Sequence, residues 1–361
     1  MRTKIDKIWN FDELEAEIEG IGRCFAQIGN IKRQSLFMCK KQITPNDCYK
    51  YFTELESSIQ YLYTSIDNFL FQDIDRYIIQ ALMPQWVCDG GRSPELSLSK
   101  IQYEKHRQKI DIPIVRKFIY YYDLWYIIAS VQDRLEAVEM FMQDFYKSIP
   151  FELKYKEKDY TSAARTCGKW ETEVHISLNG VFVSLASTFD LLSKIAIEQA
   201  QYAKYGDFSN YSKMNSNGFL YNVNKLRNII NSALTKNGML FVANKDVKII
   251  EVIRNEYVHN GPWDFRCSVY NTAVDGFPAD VIVYAPDFDE NGNLISSGSR
   301  NKFYSQGNKM NVMLPELVKS VLEILKNTID CLTQLYIAGT TQTPNAVKTR
   351  QCLEKLKVCF K

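Results

Sequence analysis

The chain has 361 residues, with 44 lysines and arginines against 42 aspartates and glutamates, for a formal charge of +2. So even a balance excludes a surface that attracts polyanions over its whole area. Any nucleic-acid contact is expected to be local, a groove or patch. A hydrophobic share of 46% with 24% charged residues excludes a disordered chain, and the length predicts two domains.

Nine cysteines (Cys24, Cys39, Cys48, Cys88, Cys167, Cys267, Cys331, Cys352 and Cys359) are scattered, with no CxxC pair. That pattern fits neither a clustered zinc site nor a secreted disulfide framework, and predicts reduced thiols. The first residues, MRTKIDKIWNFDELEAEI, are charged throughout and lack the apolar centre of a signal peptide. The most apolar run, Phe118 to Val131, contains Asp123 and falls short of the roughly 20 residues that span a bilayer. The expectation is a soluble cytoplasmic protein without membrane association.

In chain order, Asn10 is placed to cap a helix whose first turn holds Asp12 and Glu13, and Gly20, Gly22 and Gly29 weaken its end. Pro45-Asn46-Asp47 opens a long helix to about Leu82, with Tyr51, Leu55, Ile59, Leu62, Ile66, Phe69 and Leu70 at three- and four-residue spacing. Pro84 stops it. Val87 to Asp111, holding Gly90-Gly91-Arg92-Ser93-Pro94, reads mainly as a loop with one short helix. Pro113 starts a second long helix ending near Ser148, and an antiparallel hairpin of the two is the natural arrangement.

Residues 147–170 interrupt the pattern with Pro150, the run KYKEKDY and Gly168, and the domain boundary is placed there. Residues 1–150 then form a helical domain for sensing or assembly, and 171–361 a second helical domain. Helix resumes from about Glu171 to Tyr205, followed by a shorter helix at Val223–Leu234 and another from about Asp246 to His259. Asn260-Gly261-Pro262 ends it as helix C-termini commonly end. Ser268–Ala273 and Val281–Tyr284 flank a turn at 274–278, predicting a small β-hairpin within about 267–285. A turn follows at Asn291-Gly292, a last long helix runs from Pro315 to about Tyr336, and Thr343–Lys357 forms a terminal one. The fold class is mainly α.

Only three histidines occur, and one closes the sequence Arg254-Asn255-Glu256-Tyr257-Val258-His259. Asn255 and His259 are four apart and stand one above the other on a helix; Arg254 borders that face. Ile249, Ile250, Ile253 and Tyr257 are placed to bury the other side. An imidazole can take the proton of a ribose 2′-hydroxyl near neutral pH. A guanidinium, always charged, can hold the scissile phosphate and offset the charge that develops on it. An asparagine amide can orient either partner. No Asp/Glu/His cluster for Mg²⁺ or Zn²⁺ is visible, so neither metal nor cofactor is expected.

Asp190 sits on an otherwise apolar helix pattern (Leu185, Phe189, Leu192, Ile195), where a carboxylate tends to need a partner; it would pair with Arg254 or support His259, or else lie exposed. Asp287-x-Asp289-x-Asn291-Gly292 imitates a calcium loop, but its twelfth position is Gly298, so a turn is expected. His106 lies in a segment with Lys100, Lys105, Arg107 and Lys109, read as solvated surface that is able to touch phosphate. His175 has no partner in the sequence.

Arg254-Asn255-x-x-x-His259 resembles the R-[polar]-x(3–5)-H signature of the HEPN superfamily, and the apolar helix through Ser187–Glu198 resembles the one beside the motif helix in those bundles. The resemblance covers about residues 171–340. It implies an up-and-down helical bundle, elaborated here by the β-hairpin, and metal-independent endoribonuclease activity of the kind found in phage defence, abortive infection and toxins. It also implies a homodimer whose two motifs form one cleft, with Arg254 and His259 catalytic and Asn255 supporting. RNA is the implied substrate, and an inhibitory or activating protein a possible partner. In one toxin class the motif continues to a tyrosine two residues after the histidine. Here that residue is Gly261, so that mode of control is not expected. Two rival readings use the same residues: a non-catalytic RNA- or nucleotide-binding module, and a structural helical scaffold.

Overall fold

The computed structural model describes residues 22–24, 37–39, 45–109, 112–149, 164–264, 266–274 and 277–360. The helix expected at Asn10 and the KYKEKDY run lie outside them. The described residues are mainly helical: α1 Pro45–Leu70, α2 Arg76–Gln80, α3 Gln85–Asp89, α4 Lys100–Lys109, α5 Pro113–Ser148, α6 Lys169–Gln201, α7 Val223–Leu226, α8 Lys245–His259, α9 Met310–Gly339 and α10 Ala346–Cys359. Short strands β1 Gly22–Cys24 and β2 Phe37–Cys39 pair antiparallel. Strands β3 Ala164–Thr166, β4 Val269–Val274 and β5 Phe277–Ile282 form an antiparallel sheet in that order.

The chain packs as two compact units. One comprises Met1–Thr53, Ala137–Ser184 and Asn244–Glu323; the other comprises Glu54–Glu136, Leu185–Ala243 and Ile324–Lys361. Each is assembled from three stretches of chain, so each draws on sequence from both sides of residues 147–170.

In the second unit, Leu55, Ile59, Leu62, Ile66 and Leu70 form the buried stripe of α1, as their spacing demands. Ring pairs Phe71–Phe118 (4.6 Å) and Tyr63–Trp125 (5.4 Å) run in opposite sequence directions, so here α1 and α5 are antiparallel, as expected. The helix expected to reach Leu82 stops at Leu70. Asp75 starts α2 instead, its carboxylate accepting from the Ile78 amide at 3.2 Å. The stretch expected mainly as loop holds α3, a 3₁₀ turn at Pro94–Leu96 and α4. A reciprocal capping box explains α4: the Ser99 amide donates to Gln102 Oε1 and the Gln102 amide to Ser99 Oγ, at 2.9 and 3.3 Å. The expected helix at Val223–Leu234 is broken into α7 and a 3₁₀ turn at Ser232–Thr235, each begun by an asparagine cap.

In the first unit the hairpin is present but tighter than expected. Val274 pairs with Phe277, so the strands run further toward each other than the expected turn at 274–278 allows. The strand β3 joins it as an unexpected third member. Helix α9 begins at Met310, ahead of Pro315, which lies inside it. Proline cannot donate to the carbonyl four residues back. That carbonyl, on Asn311, accepts instead from Tyr146 Oη at 3.1 Å, and the Asn311 side chain bonds Val281 O and the Val283 amide at 2.8 and 3.0 Å.

Among the described residues one helical stretch, Lys169–Tyr205, is long and apolar enough to cross a membrane, in place of the run at Phe118–Val131; 67% of its apolar window is buried within the protein. Among the described residues seven cysteines lie outside any disulfide, and burial pushes the thiols of Cys88, Cys267, Cys331 and Cys352 upward, which makes them poor nucleophiles.

Candidate functional site

Helix α8 is held at both ends by its own sequence. Asn244 caps it, accepting from the Asp246 and Val247 amides at 2.8 and 3.2 Å, and Asp246 accepts from Ser320 Oγ at 2.5 Å. At the other end the Asn260 amide bonds Glu256 O at 2.8 Å, and Gly261 follows at φ +86°, a left-handed conformation that glycine adopts without strain. The turn at Asn291-Gly292 packs on the start of α8. A Cβ at Gly292 would collide with the Lys245 carbonyl, and its φ is also +86°.

Val247, Ile249, Ile250 and Ile253 are buried, so the opposite side faces outward. There Asn255 and His259 are exposed and Arg254 is half-buried. Arg254 Nη1 donates to Asn255 Oδ1 at 2.9 Å, so the guanidinium and the amide are already joined. The geometry thus stacks an amide and an imidazole on the exposed face of a helix whose other face is fixed, with a half-buried cation bonded to the amide at the border of that face.

No family model, curated protein or solved structure matches the chain.

Asp190 is placed differently from the expectation. Its Oδ1 accepts from the Tyr221 amide at 2.7 Å within the second unit, where Tyr221 Oη also donates to Leu240 O at 2.8 Å. Its described partner is therefore a loop backbone, and that of Arg254 is Asn255. His106 stacks on Trp86, with ring centroids 5.8 Å apart. His175 is buried at 2% exposure, its Nε2 3.5 Å from Ser268 O and its ring edge-on to Trp263. Burial lowers its pKa below the ordinary histidine range. The Asp287–Asn293 stretch is a turn: Asp289 accepts from the Asn291 and Asn293 amides, and Asp287 from Ser305 and Gln306. Among the described residues no group of three or more His, Cys, Asp or Glu is placed to hold a metal.

Glu256 is the residue that reading by motif passes over. It is 8% exposed, and its Oε1 accepts from Asn260 Nδ2 and Asn301 Nδ2 at 3.1 and 3.2 Å. Lys302 Nζ lies 3.4 Å from its other oxygen and also donates to Pro262 O. The Glu256–Asn260 spacing was legible as a helical i,i+4 pair. The partners at 301 and 302 were not, since 45 residues separate Asn301 from Glu256. On the inner side Tyr257 Oη donates to His175 O at 3.3 Å and its ring meets Trp263.

Proposed function

We propose that the chain is a metal-independent endoribonuclease that cleaves RNA at the Arg254/Asn255/His259 strip. One observation carries this reading: Asn255 and His259 stand on the exposed face of a helix whose inner face is buried and whose ends are capped, and Arg254, half-buried at the border of that face, is bonded to Asn255. That rigidity is what a reaction site needs.

In the proposed step, His259 takes the proton from a ribose 2′-hydroxyl and the 2′-oxygen attacks the adjacent phosphorus. Arg254, oriented by Asn255, neutralises the charge gathering on the non-bridging oxygens. The bond to the 5′-oxygen breaks, the imidazolium returns its proton to that oxygen, and the products are a 2′,3′-cyclic phosphate and a free 5′-hydroxyl. The strip is short, and a homodimer that sets two copies face to face supplies a second guanidinium and imidazole. A cytoplasmic role in phage defence, abortive infection or toxicity, with an inhibitory or activating partner protein, belongs to the same reading.

Incubation of the purified chain with single-stranded RNA in EDTA tests it, with end-group analysis of the fragments. Cyclic phosphate ends support the proposal. RNA held tightly but intact supports the binding-module reading instead.

A further inference from the structure

The interior of the second unit holds a carboxylate. Glu198, on α6, is 0% exposed, and its hydrogen bonds come from neutral donors: Tyr205 Oη reaches Oε2 at 2.5 Å and the Ser216 amide reaches Oε1 at 2.7 Å. Among the described residues no cation pairs with it. A carboxylate offers about four acceptor positions, so part of its capacity stays open.

Three hydroxyls stand near it without partners. Tyr120 on α5, Tyr336 on α9 and Ser216 in the loop after α6 are each at most 1% exposed, and none of their side-chain oxygens is hydrogen-bonded within the described protein. Buried phenols normally find a partner. Ser216 is brought to Glu198 by its own amide. Burial pushes the Tyr120 phenol upward, and Tyr336 and Glu198 add to the rise; burial does the same to Tyr336, again with Glu198 adding. The two phenols are therefore close enough to feel each other and the carboxylate, without bonding either. Asn215, whose amide donates to Tyr205 Oη at 2.6 Å, leaves its buried Nδ2 unbonded too. The same loop holds Phe208 at φ +68°, a left-handed conformation that phenylalanine keeps only where its surroundings fix it.

These groups call for a ligand that accepts from hydroxyls and donates to a carboxylate. A metal ion would satisfy Glu198 and leave the hydroxyl protons without an acceptor; an anion would be repelled by it. Tyr120 is packed against Tyr205, Phe208 and Tyr202 with ring centroids 4.8, 5.2 and 6.1 Å away, which suits a ligand of the smallest size. We infer that Glu198, Tyr120, Tyr336 and Ser216 form a buried water site, in which water accepts from the two phenols and donates to the open positions of the carboxylate. Internal waters typically make about three such bonds. Here they tie α5, α6 and α9 to the loop that carries Phe208 and Ser216. The site does not depend on the ribonuclease reading.

Thermal unfolding of the full chain tests it through Tyr120→Phe, Tyr336→Phe and the double variant. Each single change is expected to lower the melting temperature by about 2–4 °C, the scale of one hydrogen bond in a protein of this size. The double variant is expected to fall little further than either alone, because losing one phenol already loosens the water that both hold. An unchanged or higher melting temperature in either single variant overturns the inference, since deleting an unbonded buried hydroxyl is neutral or stabilising. Fully additive losses overturn it as well, because they mean two separate partners. Choline chloride in place of sodium or potassium chloride at equal ionic strength should leave wild type and double variant equally stable relative to each other. A fall in choline that the wild type shows and the double variant lacks assigns the site to a metal cation and overturns the water. A high-resolution crystal structure gives a second measurement. Density within about 3 Å of both phenol oxygens and of a Glu198 oxygen supports the site, and direct phenol–carboxylate bonds remove it.

Discussion

The ammonium of Lys302 stands 3.4 Å from Glu256 Oε2, under the turn of α8 that presents Arg254 and His259. Their side chains are 26% and 11% exposed, so this is a partly desolvated pair rather than a surface one. Glu256→Ala removes the carboxylate and leaves Asn301, Asn260 and Lys302 without it. Urea denaturation is expected to show a loss of about 2 kcal/mol, the scale of a buried charged group deprived of its partner. Amide exchange at Tyr257 to Asn260 should accelerate in the same variant. An unchanged midpoint would mean that the end of α8 is held by its apolar face alone.

His175 makes stability depend on pH. Burial lowers its pKa below the ordinary 6.5, so the unfolded chain binds its proton more readily than the folded one. The stabilisation is complete above that value and is lost as pH falls from about 6.5, at up to about 1.4 kcal/mol per pH unit. Folding free energies measured between pH 8 and 5.5 should therefore be flat and then decline. His175→Gln should flatten that part of the curve. A wild-type profile that is level down to pH 5.5 contradicts the burial argument.

Asn311 is fully buried and bonds Val281 O and the Val283 amide with its side chain. Asn311→Ala strands both backbone groups, at a cost of about 2–4 kcal/mol for two buried hydrogen bonds. Tyr146→Phe removes the donor to the Asn311 carbonyl and should cost about 1 kcal/mol. Chemical denaturation of the two variants checks the order; a more harmful Tyr146→Phe would reverse the account of how Pro315 is accommodated.

Asp190→Ala should lower the melting temperature, since the Tyr221 amide loses its acceptor. Its cleavage rate below the transition should match the wild type. A large fall in rate with an unchanged melting temperature would restore Asp190 as a partner of the reaction strip.

What could be read in advance was local. Pro113 at the first position of α5 and Asn260-Gly261 at the end of α8 mark ends within a turn or less, because their physics involves only neighbours in sequence. The outward strip was legible for the same reason, through the Asn255–His259 spacing. Helix α9 begins five residues before Pro315 because Tyr146, from a distant helix, supplies the hydrogen bond that proline lacks. Helix α4 hides behind an unnoticed capping box, Ser99 with Gln102. The Glu256–Lys302 pair and the convergence of Arg107 and Arg116 on Tyr211 depend on tertiary contact and leave no periodic trace.

The central claim is that His259 moves the proton in RNA cleavage. The most direct measurement compares wild type and His259→Ala on one single-stranded RNA in EDTA, with melting temperatures confirming that both are folded. The account predicts wild-type cleavage to cyclic phosphate ends and a loss of about 100-fold or more in the variant, the contribution of a positioned general base. Cleavage by His259→Ala at the wild-type rate, or no cleavage by either protein, contradicts it.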